Sequence, residues 1–133
     1  MLFVWSLAGS VPILVIEDEY DLAQIYSFAL QIAGRIVEIQ QNGLAAWQRL
    51  QQVVPAAVVL DLHLPGLDGP EIFRRMRQDG KLRDVPVVIV TADPPLAQEV
   101  FAEAQRLGAM PPAGIFSKPL ELERLIQWGR GLG

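Results

Sequence analysis

Three short runs of this chain are apolar at every position: PILVI at residues 12–16, AAVVL at 56–60 and PVVIV at 86–90. A strand that faces water on one side alternates apolar and polar residues. A strand apolar on both faces must be covered on both faces, which is the condition of a strand inside a parallel sheet. Between these runs lie stretches with helical spacing. Residues 21–33 place Leu22, Ile25, Tyr26, Ala29, Ile32 and Ala33 along a helix that Gly34 stops. Residues 35–39 read as a second strand. Asn42 is a plausible cap for a helix to about Gln52, with Leu44, Trp47 and Leu50 apolar. Pro70 suits a first helical turn, and Ile72, Phe73 and Met76 form the stripe behind it. Residues 96–107 carry Ala97, Val100, Phe101, Ala104 and Leu107 on one face. Residues 114–117 make a short fifth strand. Residues 120–128 close as a helix with Leu122, Leu125 and Ile126 inward. Five strand–helix repeats with short connections predict an α/β fold with right-handed crossovers and helices on both faces of a parallel sheet.

Composition narrows the chemistry. A chain of 133 residues, 51% hydrophobic, can bury a core without disulfides. It has no cysteine, which removes thiol chemistry and cysteine-based zinc sites and fits a reducing compartment, so a cytoplasmic location is expected. His63 is its sole histidine, which argues against a Ser-His-Asp triad or a histidine-rich metal site. A net charge of −4 with no long basic run argues against direct nucleic-acid binding. No stretch is long and apolar enough for a membrane span, and MLFVWSLAGS lacks the basic start of a secretory signal. Residues 1–11 therefore read as an apolar leader, which is either unpacked or an added strand or patch that meets a partner. Residues 12–128 form the domain, and 129–133, GRGLG, read as a tail or the start of a linker.

Functional groups of such a sheet collect where its strands end at their carboxyl edge. The first strand ends in Glu17 and Asp18, the third in Asp61, the fourth in Thr91, and the fifth runs into Lys118. Three carboxylates at one edge repel one another and raise each other's pKa values unless a cation joins them. Mg2+ suits such a set, because it takes oxygen ligands, keeps several waters and pairs with phosphate. Asp61 is then a candidate nucleophile toward phosphorus, with Lys118 and Thr91 placed for the phosphoryl oxygens.

Four motifs carry a resemblance: ILVIEDE at 13–19, VVLDLHLPGLDG at 58–69, VVIVTAD at 87–93 and FSKPL at 116–120. In that order and on those strand ends, the chain resembles the receiver domain of two-component response regulators over residues 12–128. The resemblance implies a flavodoxin-like (βα)5 fold with strand order 2-1-3-4-5. It implies Asp61 as phosphoacceptor, Glu17 and Asp18 as the acidic pair for Mg2+, and the backbone carbonyl of His63 as a further ligand. It implies Thr91 as the switch hydroxyl and Lys118 as the phosphate-binding lysine, followed by a cis bond to Pro119. The donor implied is a phosphohistidine on a sensor histidine kinase or phosphotransfer protein. The readout implied is a downstream protein or an output domain, with a homodimer possible through the fourth and fifth helices. Such a domain is a switch that assists its own phosphorylation and dephosphorylation, not an enzyme.

The departures fall on one side of the domain. Receivers often carry an aromatic residue three places before the lysine, where this chain has Ile115; its aromatic, Phe116, is one place later. One place along a strand turns a side chain to the other face, so Phe116 is expected in the core. The segment 108–114, GAMPPAG, is longer than usual, and Pro94-Pro95 stiffens the start of the fourth helix. Weak or non-standard readout is the expectation. Asp21 is expected as a helix cap, Glu19 as solvated, Asp68 and Gly69 as loop-shaping, and Arg74, Arg75 and Arg77 as a solvated basic face. Trp128 is core or a partner contact. His63 acts through its carbonyl, or its side chain and Asp93 shade the phosphoryl site. Two other functions compete. One is a pseudo-receiver that binds partners without phosphorylation. The other is a Mg2+-dependent aspartyl-phosphate phosphatase, which would favour a second Asp where His63 stands.

Overall fold

A computed structural model describes residues 11–132. Its elements run β1 (Ile13–Ile16), α1 (Tyr20–Ile32), β2 (Val37–Gln40), α2 (Gly43–Leu50), β3 (Ala57–Leu60), α3 (Gly69–Gln78), β4 (Val87–Thr91), α4 (Pro94–Arg106), β5 (Gly114–Ser117) and α5 (Leu122–Gly131). The strands form one parallel sheet in the order β2-β1-β3-β4-β5. This is the flavodoxin-like arrangement expected. The register pairs Ile16 with Gln40 on one side and Leu60 on the other, so β1 and β3 end level with each other. That levelness sets Glu17 beside Asp61.

The three apolar runs are the three central strands, and they divide their side chains between two cores. Leu14, Ile16, Val58, Leu60, Val87 and Ile89 point to the side covered by α2, α3 and α4. Ile13, Val15, Ala57, Val59, Val88, Val90 and Phe116 point to the side covered by α1 and α5. Each fully buried Leu or Ile contributes about 1.5–3 kcal/mol, which stabilises strands of only four or five residues that would not form alone. Ile115 is half-buried on the first side and Phe116 is buried on the second. Phe116 is therefore core, as the one-place shift predicts, and the Arg124 guanidinium covers its ring at 4.8 Å.

Helix ends follow local rules. Gly34, at φ +87°, donates to Gln31 O while Arg35 donates to Leu30 O, closing α1 with a left-handed residue that glycine adopts without strain. Asn42 caps α2 by accepting from the Ala45 amide at 2.8 Å. Asp68 caps α3 by accepting from Glu71, with Pro70 in the first turn.

Several expectations are corrected. Asp21 is not a cap: α1 begins one residue before it, after Glu19, and Asp21 sits in the first turn near the positive helix end. The buried face of α1 is Ala23, Tyr26, Ser27, Ala29 and Leu30, which leaves Ile25 and Ile32 exposed with Phe28. In α2 the buried residues are Gly43, Ala46 and Leu50, and Leu44 faces out. Leu107 is the exposed cap residue of α4, outside its inward stripe. Arg77 does not join the solvated face of Arg74 and Arg75. It is 9% exposed, stacks on Phe73 at 4.6 Å, and donates to the carbonyls of Met110, Val85 and Leu82. The expected tail is not a tail either. α5 runs on through Gly131, Gly129 is buried against α1, and Arg35 donates to the carbonyls of Gly129 and Leu132. Trp128 is half-buried against the α1/α5 core. The apolar leader, apart from Val11, lies outside the described residues.

Candidate functional site: an acidic cluster with a lysine at the sheet edge

The carboxyl ends of β1, β3, β4 and β5 meet as the sequence predicts. One ligand atom each from Glu17, Asp18 and Asp61 can be chosen so that all lie within 4.8 Å of one another. Lys118 places Nζ 2.8 Å from Glu17 Oε1 and 3.6 Å from Asp61 Oδ2. Glu17 is 1% exposed and Asp61 5%, whereas Asp18 is open to solvent. The cluster thus has a dry floor and an accessible rim.

Local backbone geometry holds it in place. Glu17 donates its amide to Gln40 O and Asp61 to Ile16 O, continuing the sheet ladder past the strand ends. The Lys118 amide donates to Thr91 O at 2.8 Å, which locks the β5 end to the β4 end. The Lys118–Pro119 bond is cis, in line with the resemblance. Gly69 donates to Leu62 O, and a Cβ there would sit 2.4 Å from Asp61 O, so only glycine lets α3 start this close to the acceptor loop.

Burial opposes charge here. It pushes Glu17 up to about 7, with Asp61 adding to the rise and Lys118 opposing it. Asp61 is raised too, first by burial; Lys118 and the amides of His63 and Leu62 pull it back, and Asp18 adds to the rise. Burial works against the Lys118 ammonium, but the bond from Glu17 and the charge of Asp61 outweigh it and raise its pKa. The contact between Lys118 and Glu17 favours an ionised Glu17, yet the full burial of that carboxylate beside a second acid is the larger effect. One lysine does not neutralise three carboxylates. The set is short of positive charge, hard oxygen donors line it, and one side is open to water. Those are the properties of a site for a hard divalent cation.

Thr91 is fully buried, and its Oγ1 accepts the Asp93 amide at 2.9 Å. His63 Nε2 meets Asp93 Oδ2 at 2.9 Å across the mouth of the site. Sequence reasoning placed His63 and Asp93 near the site one by one and missed that they meet. Their positions, each two residues past a strand-end group, are the signal for it. It also missed Tyr26, read as helix stripe, which lines a cleft with Lys118, Pro119 and Leu22 and is raised in pKa, first by burial. Glu19 is exposed, and its amide donates to Glu17 Oε2.

The model of the response regulator receiver domain matches residues 13–128. The chain belongs to the response regulator receiver family. "Response regulator MprA" of Mycobacterium sp. (strain KMS) is 32% identical over 123 residues, covering 92% of this chain and 50% of that protein. The receiver domain thus spans about half the length of this curated relative. A putative response regulator from Chloroflexus aurantiacus J-10-fl superposes with a TM-score of 0.79 at 25% identity, covering 92% of this chain and 96% of the other. The Mn2+-bound form of the response regulator Rcp1 gives a TM-score of 0.70 at 25% identity, over 91% of this chain and 90% of that one. The receiver is a signalling module of two-component systems, and receivers as a family are switches, generally not classed as enzymes. Among the described residues, no helix is long and apolar enough to cross a membrane.

Proposed function

We propose that this receiver accepts a phosphoryl group on Asp61 from a phosphohistidine of a sensor kinase or phosphotransfer protein, and that the acyl phosphate changes how it binds a downstream protein or output domain. The observation that carries this reading is the convergence of Glu17, Asp18 and Asp61 within 4.8 Å around Lys118. In the transfer, an Asp61 carboxylate oxygen attacks phosphorus and an O–P bond forms. The P–N bond to the donor imidazole breaks, and the freed imidazole takes a proton from solvent. Lys118, already 3.6 Å from Asp61, faces the charge that the phosphoryl oxygens bring. Thr91 has its hydroxyl hydrogen free to donate, because its oxygen is the acceptor toward Asp93.

Glu17, Asp18, Asp61 and the His63 carbonyl would hold Mg2+. The excess of carboxylates supports this, and so does a relative of the same fold whose structure is of an Mn2+-bound form. When bound, the ion offsets phosphoryl charge and aligns the phosphate with the carboxylate. The same residues serve hydrolysis, in which water attacks phosphorus and the Asp61 carboxylate leaves.

The test is intact-protein mass after incubation with acetyl phosphate, with and without Mg2+. Wild type with Mg2+ gains one phosphoryl group; Asp61→Asn gains none, nor does wild type in EDTA. Absence of any gain with acetyl phosphate and with purified donor kinases, while Mg2+ binds, would leave a pseudo-receiver that works by binding alone.

A further inference from the structure

A phosphoryl group on Asp61 must move something that a partner reads, and this chain has Ile115 where an aromatic switch residue is expected. Ile115 has no polar group on its side chain. It is half-buried in the core beneath α2, α3 and α4. It therefore cannot follow the Thr91 hydroxyl by a hydrogen bond.

A different residue is already attached to Thr91. Asp93 holds three partners at once. Its amide donates to Thr91 Oγ1 at 2.9 Å, its Oδ1 accepts from the Leu96 amide at 3.2 Å, and its Oδ2 meets His63 Nε2 at 2.9 Å. We propose that Asp93 is the positioning residue that passes a displacement of Thr91 to the start of α4, in place of the missing aromatic. This deepens the phosphoacceptor reading and rests on it.

The two prolines make the link mechanical. Pro94 and Pro95 open α4 and carry no amide hydrogen, so Leu96 has the first amide of the helix that a cap can satisfy. Asp93 takes that amide with its side chain, and the Ala97 amide with its carbonyl at 3.2 Å. The prolines fix φ but leave ψ free, so the bond from the Leu96 amide to the Asp93 side chain is what ties the loop to the first turn. If Thr91 turns toward a phosphoryl oxygen, the Asp93 amide either follows or loses its acceptor. Following shifts the cap and with it the first turn of α4. The His63 arm reports from the other loop, two residues past Asp61. That pair is largely exposed, with side chains 65% and 38% open, so it is weakly held and easily exchanged. The cap on the Leu96 amide is the arm that moves the helix.

The experiment compares hydrogen exchange of peptides covering 94–107 in the full chain, with and without beryllium fluoride in Mg2+, the fluoride complex standing in for the phosphoryl group. Fluorine NMR on the same samples measures bound complex, and each variant is compared at saturation. In wild type, exchange at the start of α4 changes on binding. In Asp93→Ala that change falls below about a fifth of the wild-type change, although bound fluorine is still seen. Asp93→Asn, which keeps a capping oxygen, restores most of it. Ile115→Val leaves it intact. A residue that merely holds the helix would raise exchange equally in both states and leave the difference untouched. A full α4 response in Asp93→Ala, or no α4 response in wild type with fluorine bound, overturns the proposal. No bound fluorine in wild type overturns the phosphoacceptor reading, and this one with it.

Discussion

At the scale of single residues, the site is a compromise between burial and charge. Glu17 is an acid whose folded pKa, about 7, lies above its usual 4.5. Between those values the folded chain holds a proton that the unfolded chain has lost. Stability of the metal-free domain therefore falls as pH rises from about 4.5 through 7 and is free of this penalty below 4.5. Between pH 5.5 and pH 8 the loss is on the order of 1–3 kcal/mol. Urea unfolding in EDTA at pH 5.5 and pH 8 measures it, and Glu17→Gln removes most of the difference. The same variant is expected to lose the rise in melting temperature that Mg2+ would give wild type, because a ligand that binds only the folded state stabilises it by RT ln(1 + L/Kd) at free ligand concentration L. A wild-type curve flat between the two pH values would contradict the first part. Gly69 is constrained by space alone. Gly69→Ala sets a methyl 2.4 Å from Asp61 O and 2.5 Å from Leu62 Cα, both backbone atoms that cannot turn aside. It costs about 3 kcal/mol or more in urea unfolding and displaces the loop that carries the proposed ligand carbonyl of His63.

At the scale of elements, Arg77 is the case where sequence misled. A run of three arginines on a helix reads as solvated, yet the helical period turns Arg77 beneath α3 while Arg74 and Arg75 pair with Glu71 and Glu103 outside. Nothing in the run RRMR marks which arginine is inside. The marker is tertiary: carbonyls of Met110, Val85 and Leu82 are brought to it by the loops before β4 and β5. Arg77→Met keeps the apolar stem and leaves those acceptors unpaired. It costs about 2–4 kcal/mol by chemical unfolding and speeds hydrogen exchange in the loop at 107–113, ahead of the rest of the domain. Unchanged exchange there would show that the loop holds itself. By contrast, the strand ends were legible in advance, because a fully apolar run that stops on Asp, Thr or Glu admits few other readings. Caps at Asn42 and the stop at Gly34 were legible for the same reason: their chemistry is local. The inward face of α1 was not, since Ile25, Phe28 and Ile32 make an equally apolar stripe, and only docking against β1 and α5 decides between the two.

At the scale of the whole molecule, the sheet separates two cores, and the one beneath α1 and α5 is sealed by residues 129–132. GRGLG reads as linker because glycine is poor in helices. Gly129 is there for proximity: a Cβ on it would lie 3.0 Å from Ala33 Cβ and 3.1 Å from Leu30 Cδ2, whereas one on Gly131 would meet nothing within 4 Å. The close approach lets Arg35, at the far end of α1, reach over the end of α5 to the carbonyls of Gly129 and Leu132. A chain cut after Trp128, where the resemblance ends, loses both acceptors and bares Leu30 and Ala33. The expected cost is about 1–3 kcal/mol, or roughly 4–10 °C in melting temperature for a domain of this size. Gly129→Val, in the intact chain, forces the helices apart and should cost a similar amount. If truncation leaves the melting temperature unchanged while Gly129→Val lowers it, the glycine matters for packing and the end of the helix does not. Both effects together would place the boundary of the folded unit beyond residue 128.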